Sequence, residues 1–179
     1  MKEITIQDKT FSVYLSQEDL ADIVTNLADT INSAYEDKKE VILISILDGA
    51  FIFMADLVRK LKFEHLIHFV KIKSYSDTES TGEIEYVLDL DISVKDKHVL
   101  VVEDIIDTGL TLESFMAKLK ADAPASVKIC TLLSKPDVHN DIVDVDFVGK
   151  EIPPEFIVGY GLDLNGYGRR LPDIYKLKI

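Results

Sequence analysis

The chain has 179 residues, enough for one substantial domain and short for two, so a single domain spanning 1–179 is expected. Hydrophobic residues make up 47% and charged residues 29%, a balance that excludes a disordered or collagen-like chain and calls for a real core. With 32 Asp+Glu against 20 Lys+Arg the net charge is −12, which argues against a broad footprint on nucleic acid, so a small anionic ligand has to be met by local dipoles, a few cations and metal.

The N-terminal MKEITIQDK lacks the apolar core of a signal peptide, and no apolar run reaches membrane-spanning length. The expectation is a cytoplasmic protein without a membrane partner. Residues 4–15 alternate loosely and predict short strands before a first helix. That helix has Ser16 as its cap and Asp19 at the capping-box position, and Leu20, Ile23, Val24, Leu27 and Ile31 follow at helical spacing. Residues 41–47 (VILISIL) are apolar throughout, as a strand buried on both faces requires, and turn through Asp48-Gly49 into the helical stretch AFIFMADLVRKL. Residues 69–75 predict another strand. The polar stretch 76–85 after it suits a solvated hairpin tip better than a loop that closes over a ligand.

Residues 98–103 predict a strand, 112–121 a helix, and 127–133 a further strand ending at Ser134-Lys135-Pro136. Cys130 is the sole cysteine, so no intrachain disulfide forms, and its strand setting predicts a buried thiol. The order of elements favours a doubly wound, mainly parallel α/β sheet with an antiparallel insertion around 76–97. Short strands are predicted at 145–148 and 156–160. The glycines and aromatics around Asp163 and an Arg pair suggest a lid or rim built on the core.

The chemistry concentrates in VLVVEDIIDTGLT, residues 99–111. An apolar strand ends in Glu103 and Asp104, and a small-polar turn then opens a helix. Ligands of open parallel sheets bind beyond the carboxyl ends of strands, and the first turn of a helix offers free N–H groups to an anion. Thr108 and Thr111 supply hydroxyls, and Gly109 permits close backbone approach. A bare D-T-G-x-T would by itself read as a capped turn without a ligand. The adjacent carboxylates change the balance, since they repel unless vicinal hydroxyls or hydrated Mg²⁺ bridge them. No GxxxxGK[ST] occurs, and GYGLDL has Leu164 where a third dinucleotide-binding glycine would stand, which disfavours a Walker ATPase or a Rossmann site. His65, His68, His98 and His139 show no metal-binding spacing and read as surface or packing residues.

VLVVEDIIDTGLTL resembles the signature loop of the type I phosphoribosyltransferases. With ILDGAFIFMADL upstream and KPD and EFIVGYGLDLNGYGRRLP downstream, the chain is similar to their hypoxanthine-guanine branch from about residue 41 to residue 171. The resemblance implies the type I phosphoribosyltransferase fold, with a core over about 35–140 and a small hood from 1–15 and about 141–179. It also implies 5-phosphoribosyl 1-pyrophosphate as co-substrate, a 6-oxopurine base as acceptor, a purine nucleotide as product, Mg²⁺ as cofactor and a homo-oligomer, dimer or tetramer.

Carried onto this sequence, Glu103 and Asp104 would hold the ribose hydroxyls, directly or through Mg²⁺ and water. Asp107, Thr108, Gly109, Leu110 and Thr111 would hold the 5-phosphate. Asp107 would also serve as the catalytic acid/base toward the purine N7. Lys135 would donate to the 6-oxo group, Phe156 would stack on the base, and the Ile157 backbone would meet the purine edge. Asp163, in the same segment, matches the carboxylate of the pyrophosphate-side metal, and Arg169 matches an arginine on pyrophosphate. Asp48-Gly49 aligns with the pyrophosphate loop, which in the family carries a non-proline cis peptide; many relatives have Lys at position 48. Ser74-Tyr75 matches the start of the family's flexible loop.

The implied reaction is transfer of the phosphoribosyl group to N9 of hypoxanthine, and of guanine, with loss of pyrophosphate. Xanthine or another base as acceptor, or a phosphoribosyl-pyrophosphate sensor that binds nucleic acid, are the alternatives.

Overall fold

The computed structural model describes residues 3–74, 84–139 and 142–178. Its centre is a six-stranded sheet in the order β5-β4-β3-β6-β7-β8, formed by β3 (Val41–Leu47), β4 (His65–Ser74), β5 (Ile84–Leu88), β6 (His98–Ile106), β7 (Ser126–Ser134) and β8 (Phe147–Glu151). All neighbours run parallel except β5, which is antiparallel to β4.

The apolar runs at 41–47 and 98–102 are explained by burial on both faces. Val41 and Leu43 of β3 and Leu100 and Val102 of β6 face a core shared with α1 (Gln17–Tyr35) and α2 (Phe51–Val58). Ile42, Ile44, Val99 and Val101 point the other way, onto Leu112, Phe115, Met116 and Leu119 of α3 (Leu110–Ala121). A one-residue slip of either strand would send each set to the wrong layer. The doubly wound arrangement expected from the sequence is therefore present. Cys130 lies in the first core, and burial pushes its thiol up. Helix α1 starts as predicted: the Ser16 Oγ accepts from the Asp19 amide at 3.1 Å, and the Ser16 amide donates to Asp19 Oδ2 at 2.9 Å.

The chain leaves β3 through α2 toward β4 on one side, and leaves β6 through α3 toward β7 on the other. This reversal between adjacent β3 and β6 opens a crevice at their carboxyl ends. Asp48-Gly49 and the Glu103–Thr111 segment both occur there.

A second sheet, in the order β1-β2-β10-β9, joins β1 (Glu3–Ile6) and β2 (Lys9–Leu15) to β9 (Ile157–Val158) and β10 (Ile174–Leu177) around Phe11, Val158 and Tyr175. The terminal segments thus meet as expected, with one correction. Residues 147–151 were expected in the hood, but β8 pairs with β7 as the last strand of the large sheet. Other boundaries also move. Strand β4 begins at His65, where parallel pairing with Val41 starts, four residues before its predicted start; α3 begins at Leu110, and α2 stops at Val58. The short α4 (Pro136–His139) follows β7, and His139 packs inward with Nε2 3.0 Å from Ser134 Oγ.

Candidate active site

Strand β6 ends with its two carboxylates side by side. Asp104 is buried and Glu103 half-buried. Burial, and then the Asp104 charge, push the Glu103 carboxyl well above its usual range; burial raises Asp104 as well. The Asp104 Oδ1 accepts from the Ile105 amide at 2.8 Å, and Glu103 Oε1 from the Asp104 amide at 3.2 Å. Two hard oxygen donors that disfavour sharing negative charge suit a divalent cation. Mg²⁺ in particular is commonly held by one or two carboxylates, with water and substrate oxygens completing its shell. Among the described residues no group of three or more His, Cys, Asp or Glu side chains converges as a complete metal cage. The donor set therefore fits a metal that arrives with, or is completed by, a ligand.

Beyond the carboxylates a cavity of about 210 Å³ is lined by Asp107, Thr108, Gly109 and Thr111 over Ile46 and Ile106. Gly109 caps α3 with φ 78°, a left-handed conformation that suits glycine, and no side chain caps the helix. The first-turn amides of a 12-residue helix thus stay available beside two threonine residues. Leu110 is 57% exposed, so its place in the loop is a backbone one.

The pyrophosphate-loop candidates lie against this centre. A Cβ on Gly49 would overlap the Asp104 carboxylate, and a Cβ on Gly161 would overlap the Gly49 carbonyl; Gly161 also has φ +104°. Backbone therefore packs on backbone where the segment after β9 crosses the end of β3. The Leu47-Asp48 peptide is cis. Arg169 is anchored over the same place: Nη1 donates to the Gly161 carbonyl at 2.7 Å, and Nη2 lies 2.8 Å from Asp163 Oδ1 and 3.9 Å from Asp48 Oδ2. The other oxygen of Asp163 accepts from the Gly166 amide at 2.6 Å, so Asp163 is tied to its own loop and stands apart from the Glu103-Asp104 pair.

The remaining candidates gather at the ends of β7 and β8. Lys135 is buried, and its Nζ donates to Asp107 Oδ2 at 3.2 Å. Its amide donates to the Ile106 carbonyl at 2.9 Å, which locks the end of β7 to the signature segment. The Ile152 amide donates to the Ser134 carbonyl at 2.8 Å and brings the chain after β8 to the same corner. Phe156 follows, 45% exposed, with its ring 6.3 Å from that of Phe11, while Ile157 is buried and pairs with Lys176. Ser74 closes β4 opposite Ile84 of β5; Tyr75 and the polar stretch through residue 83 lie outside the described residues.

Two residues at this centre make contacts that no sequence signal announces. Lys71 grips Asp48 with its Nζ 2.8 and 2.6 Å from the two carboxylate oxygens. It arrives there because parallel pairing sets it opposite Leu47, a register that no local pattern announces. Gly161 is the other, recognisable only once the two backbones are seen to touch.

The family model described as "Phosphoribosyl transferase domain" matches residues 12–165. This chain belongs to the phosphoribosyltransferase family. Among curated phosphoribosyltransferases it is similar to the hypoxanthine phosphoribosyltransferase of Buchnera aphidicola, 44% identical over 94% of this chain and 96% of the relative. It is 40% identical to the hypoxanthine-guanine phosphoribosyltransferase of Aquifex aeolicus, over 99% of both chains. Among solved phosphoribosyltransferases, the Staphylococcus aureus hypoxanthine enzyme superposes with a TM-score of 0.88 at 39% identity, covering 93% of this chain and 91% of that one.

Proposed function

We propose that this phosphoribosyltransferase makes a purine nucleotide by transferring the 5-phosphoribosyl group of 5-phosphoribosyl 1-pyrophosphate to N9 of hypoxanthine, and of guanine, with release of pyrophosphate. The observation that carries the reading is the corner where Lys135 meets Asp107. One buried lysine has only donors to offer an acceptor base, and it adjoins both the carboxylate and the phosphate cavity of the signature loop. A 6-oxo group accepts from Lys135; the amino group of adenine cannot.

The roles divide along the crevice. The α3 amides with Thr108 and Thr111 hold the 5-phosphate, and Glu103 and Asp104 hold the ribose diol. Asp107 holds the N7 proton, and the exposed Phe156 ring covers one face of the base. Arg169 and the Gly49 backbone receive pyrophosphate. Glu103 and Asp104 would hold Mg²⁺, with Asp163 as candidate ligand on the pyrophosphate side, and the bound metal would supply charge neutralisation for the leaving group. The protein's own contribution is alignment of base and sugar and exclusion of water, because hydrolysis is the competing reaction. No described helix is long and apolar enough to cross a membrane. The exposed apolar side chains of Phe51, Leu66, Ile67 and Phe69 are compatible with a homo-oligomer.

Incubation with Mg²⁺, phosphoribosyl pyrophosphate and, separately, hypoxanthine, guanine, xanthine, adenine, uracil or orotate tests the assignment by nucleotide formation. Product is expected with hypoxanthine and guanine and not with adenine or the pyrimidines. Absence of product with every 6-oxopurine would overturn it.

A further inference from the structure

The place that must receive the most negative part of the substrate already holds a carboxylate. Asp48 stands at the carboxyl end of β3, beside Gly49, and its two oxygens are taken by the Lys71 ammonium at 2.8 and 2.6 Å. The Arg169 guanidinium, 3.9 Å from the same carboxylate, is shared with Asp163 at 2.8 Å. Lys71, Asp48, Arg169 and Asp163 therefore form an alternating row whose formal charges cancel. A subsite for a polyanion that relied on these cations would be expected to carry net positive charge. This one is neutralised from within.

We propose that Asp48 is an internal competitor for the pyrophosphate subsite, occupying Lys71 and screening Arg169 until the pyrophosphate group takes Lys71 from it. The inference rests on the reading of this crevice as a phosphoribosyl pyrophosphate site. The geometry permits the exchange. The Asp48 side chain is 44% exposed and that of Lys71 32%, so solvent reaches both partners, and ion pairs of this kind are weak enough for a more highly charged ligand to replace. Arg169 itself stays in place, because its other nitrogen is fixed to the Gly161 carbonyl. Asp48 thus weakens the hold on pyrophosphate twice, by occupying Lys71 and by repelling the ligand. The same weakening acts on substrate and on product, so it favours release of pyrophosphate after transfer. Asp48 is on this view a positioning residue, whose signature is a split between KM and kcat.

Calorimetric titration with magnesium pyrophosphate, together with steady-state kinetics, tests this on wild type, Asp48→Asn and Asp48→Asn/Lys71→Met. Asp48→Asn is expected to bind magnesium pyrophosphate about five-fold tighter and to lower KM for phosphoribosyl pyrophosphate by a similar factor, without a rise in kcat and with KM for hypoxanthine unchanged. Adding Lys71→Met should return the affinity to the wild-type level or below. Equal or weaker binding by Asp48→Asn, in a protein that still makes nucleotide, would overturn the competitor role alone. A wild-type protein that neither binds magnesium pyrophosphate nor consumes phosphoribosyl pyrophosphate would remove the site reading and the inference together.

Discussion

Replacing Glu103 by Gln and Asp104 by Asn together is expected to lower phosphoribosyl transfer by about 10²- to 10³-fold while making the metal-free protein more stable at pH 8. The two effects share one cause. Burial raises both carboxyls, and for Glu103 the neighbouring charge adds to it. The folded protein therefore binds protons here more tightly than the unfolded chain. The sign follows by linkage: the pair favours the fold below the unfolded carboxyl values near 4, and that contribution is lost as the pH rises through the folded values. The amide variant has nothing to lose over that interval.

Its advantage, about 1–2 kcal/mol, should consequently be largest at pH 8 and vanish near pH 4. Thermal melts of both proteins across this range, with and without Mg²⁺, check it. Added Mg²⁺ should raise the melting temperature of the wild type and leave that of the variant unmoved, since a cation that binds only the native pair stabilises by mass action. A variant less stable than wild type at pH 8 would show that the carboxylates are held by fixed protein partners.

The second large effect is expected at Lys135. Lys135→Met keeps the apolar stem in its buried setting and removes the ammonium, so packing is largely retained. The carboxylate left behind, Asp107, is 54% exposed and regains water, so folding should change little. Catalysis should not escape. A site built on one hydrogen-bond polarity loses its preferred substrate strongly when the donor goes, and kcat/KM for hypoxanthine should fall by about 10²- to 10⁴-fold. Adenine, which gained nothing from the ammonium, should not fall in parallel, so the ratio between the two bases should narrow by nearly the same factor. Measured kcat/KM for both bases decides this; an unchanged ratio would place the choice of base elsewhere, with the Phe156 segment the next candidate.

What the sequence revealed and what it hid divide along physical lines. The signature segment was legible because its signals are local: a strand buried on both faces, adjacent carboxylates, a glycine at the helix cap and two threonine residues within one turn. The capping box of Ser16 and Asp19 was readable for the same reason. Lys71 was not, because its place depends on how far β4 slides along β3, and a lysine in an alternating strand reads as a solvated face. The start of β4 at His65 was missed for the same reason, since pairing with Val41 rather than local propensity extends the strand.

The membership of β8 in the large sheet is not legible in the sequence, because a short, largely exposed FVGKE strand suits the edge of either sheet and only its parallel pairing with β7 assigns it to the large one. The contact between Gly161 and Gly49 joins residues far apart in the chain. Neither glycine announces that its missing side chain is what lets the segment after β9 close on the end of β3.

The most direct measurement follows the phosphorus signals of phosphoribosyl pyrophosphate by NMR in the presence of Mg²⁺, hypoxanthine and catalytic enzyme. The expected result is one-for-one appearance of inosine monophosphate and free pyrophosphate, with the co-substrate stable when hypoxanthine is omitted. Pyrophosphate release without nucleotide, or a co-substrate that persists with every base, would contradict the assignment of the crevice to phosphoribosyl transfer.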